Sequence, residues 1–200
     1  MERFTITTTE ALSGDFDLDG RLRRVPRDYL CKGMFFSSVV DALGSDFEAE
    51  SALLVGPPRL GRYLPFGDYP QVDYARLVGA VIKRDYASAG MREGSRQFAR
   101  REFSVFGTST VGVVLMNLVG DAGSALLRFP DMVRTVMKGG EVTAREEDGG
   151  VTLSFHRFYG WLDCHFIGVV EGIVQHYGTS PIIDVEIDGW TIGRYRVRWR

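Results

Sequence analysis

Two cysteines and three histidines are the whole supply of soft metal ligands in this chain of 200 residues. Cys31 and Cys164 are far apart and form no C-x₂-C pair, which excludes a zinc ribbon and a disulfide framework. Reduced thiols in a cytoplasmic protein are expected instead. His156, His165 and His176 all fall in the last 45 residues. Cys164 and His165 diverge on a helix, and His165 and His176 would stand about 16 Å apart along its axis. No metal is therefore expected. A long apolar run is also missing: the longest, Val111 to Val119, is broken by Asn117 and is far short of the roughly 20 residues of a membrane span. The opening Met1-Glu2-Arg3-Phe4 has no apolar signal segment. Nor is one sign of charge in excess. The net charge is −2, with 14 basic and 14 acidic residues in the first half and 10 and 12 in the second. Nothing at the whole-chain level drives binding to nucleic acid or to an anionic membrane.

Glycine is abundant, 24 of 200, and is spread along the chain, which signals tight turns and close helix contacts rather than a linker. The length suits one domain: an N-terminal arm over 1–25, a mainly helical stretch over 26–138 and a β-β-α-β-β unit over 139–200. Phe4 to Thr9 is β-prone, and a turn-rich stretch follows. Pro26 suits the first turn of a helix that carries Tyr29, Leu30, Met34, Phe36 and Val40 and ends near Gly44. Val55 to Pro70 reads as an ordered loop packed down by Tyr63, Phe66 and Tyr69. Asp73 is a candidate N-cap for a helix carrying Leu77, Val78, Val81 and Ile82. Gly90 separates it from the next, where Phe98, Ala99, Glu102 and Phe106 align. A buried helix over Ser109 to Val119 and another opening at Asp121, disturbed at Pro130, complete the set.

The strands come next. Val142-Ala144 and Val151-Leu153-Phe155 alternate around Asp148-Gly149, a type I′ hairpin pattern that sets Glu147 opposite Gly150 and Val142 opposite Phe155. A helix from Trp161 to Tyr177 follows, its apolar residues filling an arc of about 160°. Its other side carries Cys164, Gly168 and Gly172, small enough for a second backbone to approach. In Ile183–Asp188 the even positions are acidic, and in Arg194–Arg200 they are basic. Antiparallel pairing through an odd-length loop sets the acidic row against the basic row. The arginines are thus accounted for by carboxylates, not by nucleic acid.

Catalytic patterns do not hold up. Gly107-Thr108-Ser109-Thr110-Val111-Gly112 has the wrong spacing for a nucleophile elbow, and Glu146-Glu147 sits at an exposed hairpin tip. Glu171 borders the apolar arc of its helix and is a candidate ligand contact.

Gly33-Met34-Phe35-Phe36-Ser37-Ser38, the stretch from Tyr69-Pro70 through Tyr74-Ala75-Arg76-Leu77, and the β-β-α-β-β ending together resemble a family of unknown function expanded as paralogues in myxobacteria. The resemblance runs from about Cys31 to the end. In element order that family is similar to 4-vinyl-reductase-type small-molecule-binding domains, haem–nitric-oxide-binding domains and a vesicle-tethering subunit that holds an acyl chain. The resemblance implies an α+β fold, helices packed on an antiparallel sheet, often with an apolar pocket between them, and frequent dimers. The haem branch uses a mid-chain axial histidine and a Y-x-S-x-R motif. Here the histidines are late, and Tyr195-Arg196-Val197-Arg198 lacks the serine and the arginine spacing, so haem is not expected.

The expected architecture is an N-terminal helical bundle packed on a C-terminal antiparallel sheet of order β-β-α-β-β. The leading functional expectation is a non-enzymatic sensory or adaptor domain that binds a small apolar ligand or a protein partner. Its pocket candidates are Phe35, Phe36, Phe98, Phe103, Phe158 and Trp161, with Glu171 at the edge. The rivals are a homodimeric interaction module with a filled core, and an enzyme with an unrecognised polar cleft.

Overall fold

The computed structural model describes residues 1–44, 47–56, 62–108 and 119–200. Its larger sheet has five strands: β1 (Glu2–Thr7), β5 (Glu141–Glu147), β6 (Gly150–His156), β7 (Pro181–Ile187) and β8 (Gly193–Trp199). They lie in the order β1-β7-β8-β6-β5, every neighbouring pair antiparallel. Mixed helix and antiparallel sheet is the class the sequence predicts, but the sheet is not built by the closing unit alone. An edge strand comes from the other end of the chain.

Both hairpin registers follow from period-two alternation. Glu147 faces Gly150, Ala144 faces Leu153 and Val142 faces Phe155. The turn differs from the expected type I′, which needs a positive φ at both central residues. Here only Gly149 has one, at 78°. In the second hairpin Asp184 faces Arg196 and Glu186 faces Arg194. The loop is odd in length as expected and spans residues 188–192. Arg198 reaches Asp184 at 2.8 Å, Arg194 reaches Glu186 at 3.7 Å and Arg196 reaches Glu147 at 3.7 Å. The odd positions form the opposite, buried face: Ile183, Val185, Ile187, Tyr195 and Val197.

Five of the helices border the site: α2 (Met34–Leu43), α4 (Gln71–Asp85), α5 (Gly90–Thr108), α6 (Ala122–Val136) and α7 (His165–His176), while α1 (Leu18–Arg24) packs on α4 outside it. The helix α3 (Phe47–Leu54) lies outside the site on α4. On the sheet, α6 contacts β5 and β6 and α7 contacts β7, α5 runs along α7, and α4 packs on α5. The glycine side of α7 makes the α5 contact. A β-carbon on Gly168 would stand 2.1 Å from the Arg96 carbonyl oxygen, and one on Gly172 would stand 2.8 Å from Phe103 Cβ.

Several sequence expectations are corrected. The helix placed from Pro26 is split. Leu30–Lys32 forms β2, the middle of a small sheet between β3 (Asp68–Pro70) and β4 (Met137–Lys138), and α2 starts only at Met34. α4 begins at Gln71, so Asp73 lies in its first turn rather than capping it. α7 begins four residues late because Trp161 takes a left-handed φ of 54°, which a helix cannot contain. Tyr63 and Tyr69 pack on Phe36 with ring centroids 4.0 and 5.5 Å away, whereas Phe66 is exposed. The helix expected over Ser109 to Val119 lies outside the described residues except for its last position. No helix among the described residues is long and apolar enough to cross a membrane.

Candidate functional site: an apolar cavity with a polar wall

Four helices present one face each to a common space. At helical spacing α4 offers Tyr74, Ala75 and Val78, α5 offers Ala99, Glu102 and Phe103, α6 offers Phe129, Val133 and Val136, and α7 offers His165, Val169 and Ile173. Trp161 and Gly160 close it from the turn before α7, and Cys31 and Phe35 from β2 and α2. The cavity measures about 100 Å³.

One wall is a buried polar network centred on Glu102. Tyr74 donates its hydroxyl proton to Glu102 Oε2. Ser38 Oγ lies 2.5 Å from Oε1, and His165 Nε2 lies 3.6 Å from Oε2. On the far side of the imidazole, Ser95 Oγ is 3.3 Å from His165 Nδ1. Burial, then the adjoining Glu102 carboxylate, hold the Tyr74 phenol well above its ordinary range. Burial likewise pushes the Cys31 thiol up, with Glu102 and Asp73 adding to it. Cys31 is thus a neutral thiol at pH 7 and not a nucleophile.

Ser95, His165 and Glu102 stand in the order of a hydrolytic triad, but the geometry does not make one. Ser95 is fully buried within α5 and does not line the cavity, and 3.6 Å is beyond a hydrogen bond between imidazole and carboxylate. Among the described residues, no three His, Cys, Asp or Glu side chains converge as metal ligands.

Of the seven residues named from sequence, Phe35, Phe103 and Trp161 line the cavity. Phe36, Phe98 and Phe158 do not: they are fully packed core side chains, Phe36 among Tyr63, Tyr69 and Tyr74, and Phe158 against Phe155 and Phe166. Glu171 is turned away from it and is committed to Arg96, with Nε at 2.9 Å and Nη2 at 2.5 Å, and to Arg100 at 3.2 Å. Sequence reasoning missed Tyr74, Glu102, His165 and Gln71. The available signal was Glu102 itself, a carboxylate in register with the apolar residues Phe98 and Ala99.

Residues 24–200 match the model of a protein family described as "Protein of unknown function (DUF2378)". The chain belongs to the DUF2378 family. No curated protein matches it by sequence. In fold it is similar to solved H-NOX proteins. One is the unliganded Fe(II) H-NOX protein of K. algicida, with a TM-score of 0.64 at 15% identity, covering 84% of this chain and 96% of that one. Another is a mutant H-NOX domain from Shewanella oneidensis in the Fe(II)CO ligation state, with a TM-score of 0.66 at 12% identity over 84% and 98%. A third is an oxygen-binding H-NOX domain related to soluble guanylate cyclases, with a TM-score of 0.62 at 16% identity over 84% and 92%. At these identities the likeness establishes the fold of this DUF2378 member and not its ligand.

The cavity does not fit haem. Ligand pockets for drug-sized molecules occupy roughly 300–1,000 Å³, and this space is about 100 Å³. His165 is the histidine on its wall, and both of its ring nitrogens already face protein partners, Ser95 and Glu102.

Proposed function

We propose that this chain is a non-enzymatic sensory domain that takes a small apolar ligand directly into the cavity between α4, α5, α6 and α7. The observation that carries the reading is the cavity itself, walled mainly by apolar side chains from four helices. Its size sets the ligand's size. An apolar cavity of about 150 Å³ holds benzene or xenon, so about 100 Å³ suits a molecule of that size or smaller. The fold is shared with H-NOX proteins solved with CO and with oxygen, which supports a sensory role for a helical space of this kind. In this chain the protein wall, rather than a porphyrin, would meet the ligand.

The test is xenon binding to the purified full chain, followed by methyl NMR. Saturable shifts at Val78, Val133 and Ile173 are expected, with no shift at sheet methyls such as Val185. If those three methyls do not respond, the core is filled and the sensory reading gives way to that of a ligand-free interaction module.

A further inference from the structure

The solvent face of the five-stranded sheet carries charges of both signs, and most are matched within the chain. Arg198 pairs with Asp184, Arg3 and Arg194 with Glu186, and Arg196 with Glu147. Glu141 and Arg145 are not matched. Both are exposed on β5, and among the described residues neither has an ion-pair or hydrogen-bond partner. They point to the same face but stand four positions apart, about 13 Å along a strand, too far to meet each other. β5 is also an edge of the sheet, with β6 as its neighbour. The two-residue turn makes Glu147 and Gly150 a hydrogen-bonded pair, so by alternation Glu141, Thr143 and Arg145 bond inward to β6. The backbone N–H and C=O groups of Val142, Ala144 and Glu146 therefore point outward, and among the described residues nothing pairs with them.

The geometry points to a second copy of this chain as the partner of that edge. Two β5 strands pair antiparallel about a two-fold axis through Thr143, joining two five-stranded sheets into one. In that register Glu141 of each copy stands opposite Arg145 of the other, so both unmatched charges find partners, and Val142 opposite Ala144 supplies the outward hydrogen bonds. Moving the axis by one residue loses the match: through Val142, Glu141 meets Thr143, and through Ala144 it meets Glu147. Charges on an edge strand ordinarily deter pairing. Here they are of opposite sign and spaced to suit a copy of the same strand. The other edge, β1, has no such register. Glu2 and Arg3 lie on opposite faces and already hold Arg92 at 3.0 Å and Glu186 at 3.3 Å. This interface does not depend on whether the cavity takes a ligand.

The test is sedimentation equilibrium of the full chain at low salt, with a dimer expected at micromolar concentration. Arg145→Glu is expected to raise the dimer dissociation constant by about 10-fold or more, because the interface then sets like charges opposite each other twice. Adding Glu141→Arg to it should restore the dimer, a rescue that a purely local role for either residue would not give. Ala144→Pro tests the backbone. Its amide points outward and is unused within the chain, so the fold is kept and the dimer is lost. On the axis, Thr143 meets its own copy as a non-hydrogen-bonded pair with Cα atoms about 4.5 Å apart, inside the range of a disulfide. Thr143→Cys should therefore oxidise to a covalent dimer, while the native Cys31 and Cys164 stay buried. A monomer at every concentration, a dimer that Arg145→Glu and Ala144→Pro leave intact, or a charge swap that fails to rescue overturns the assignment.

Discussion

Arg96 has no exposed surface, yet it carries a full charge into the middle of the molecule. Its guanidinium meets Glu171 through two bonds, Glu93 at 3.1 Å, and the carbonyl oxygens of Thr7 and Glu10 at 2.7 and 2.5 Å. One side chain therefore ties α5 to α7 and to the segment after β1. Removing one member of such a buried pair strands the other charge, so Glu171→Ala is expected to lower stability by about 3–5 kcal/mol in urea unfolding. Replacing Arg96 by Met and Glu171 by Leu together should cost less than Glu171→Ala alone. A second expectation concerns the thiols. Cys31 and Cys164 are buried, and burial raises both above the usual thiol range. A thiol-specific reagent at pH 8 should modify neither in the native protein and both after denaturation. The role of Glu171 was not legible in the sequence, because its partner lies 75 residues upstream and periodicity reports only which face a residue occupies. The pocket was half legible for the same reason. Aromatic content flagged Phe35, Phe103 and Trp161, but it could not separate them from Phe36, Phe98 and Phe158, whose rings fill the core around the space instead of bordering it.

The elements divide by how local their causes are. The two hairpins were readable down to their residue pairings, since alternation and a turn of known parity fix register without reference to the rest of the chain. β2 was not, because three residues become a strand only when Asp68–Pro70 and Met137–Lys138 arrive on either side. The start of α7 was lost to a single left-handed residue, Trp161, which periodicity does not reveal. The small-residue stripe on α7 was legible as a face for close packing, on sheet or on helix, and the element that takes it is α5. There the demand for glycine is strict: Gly168→Ala would add helix propensity but drive a methyl into the Arg96 carbonyl. It is expected to destabilise by about 1–3 kcal/mol, measured as a lower urea midpoint, because the obstacle is backbone and cannot turn aside. Gly178, with open space where a β-carbon would stand, is not under this packing constraint.

For the molecule as a whole, burial sets its tolerance of alkali. Tyr29, Tyr74 and Tyr195 are held above the ordinary phenol range, chiefly by burial, and Tyr63 is pushed up to about 12 by the same cause. Above about pH 10 the unfolded chain loses phenolic protons that the native state keeps, so stability falls as pH rises through that range. Spectrophotometric titration at pH 11 should find these four tyrosines still mainly protonated, against about nine-tenths ionisation of all eight in denaturant. Haemin added to the folded protein should produce no shifted Soret band, in keeping with a cavity of about 100 Å³. The five-stranded sheet has a further consequence, for the order of events during folding. Thr5 and Asp184 bond side chain to side chain at 2.8 Å across 179 positions of sequence. On the ribosome β1 is made long before its partner β7. β1 must therefore wait for that partner, and pairing the two closes a loop that contains every other described element except β8.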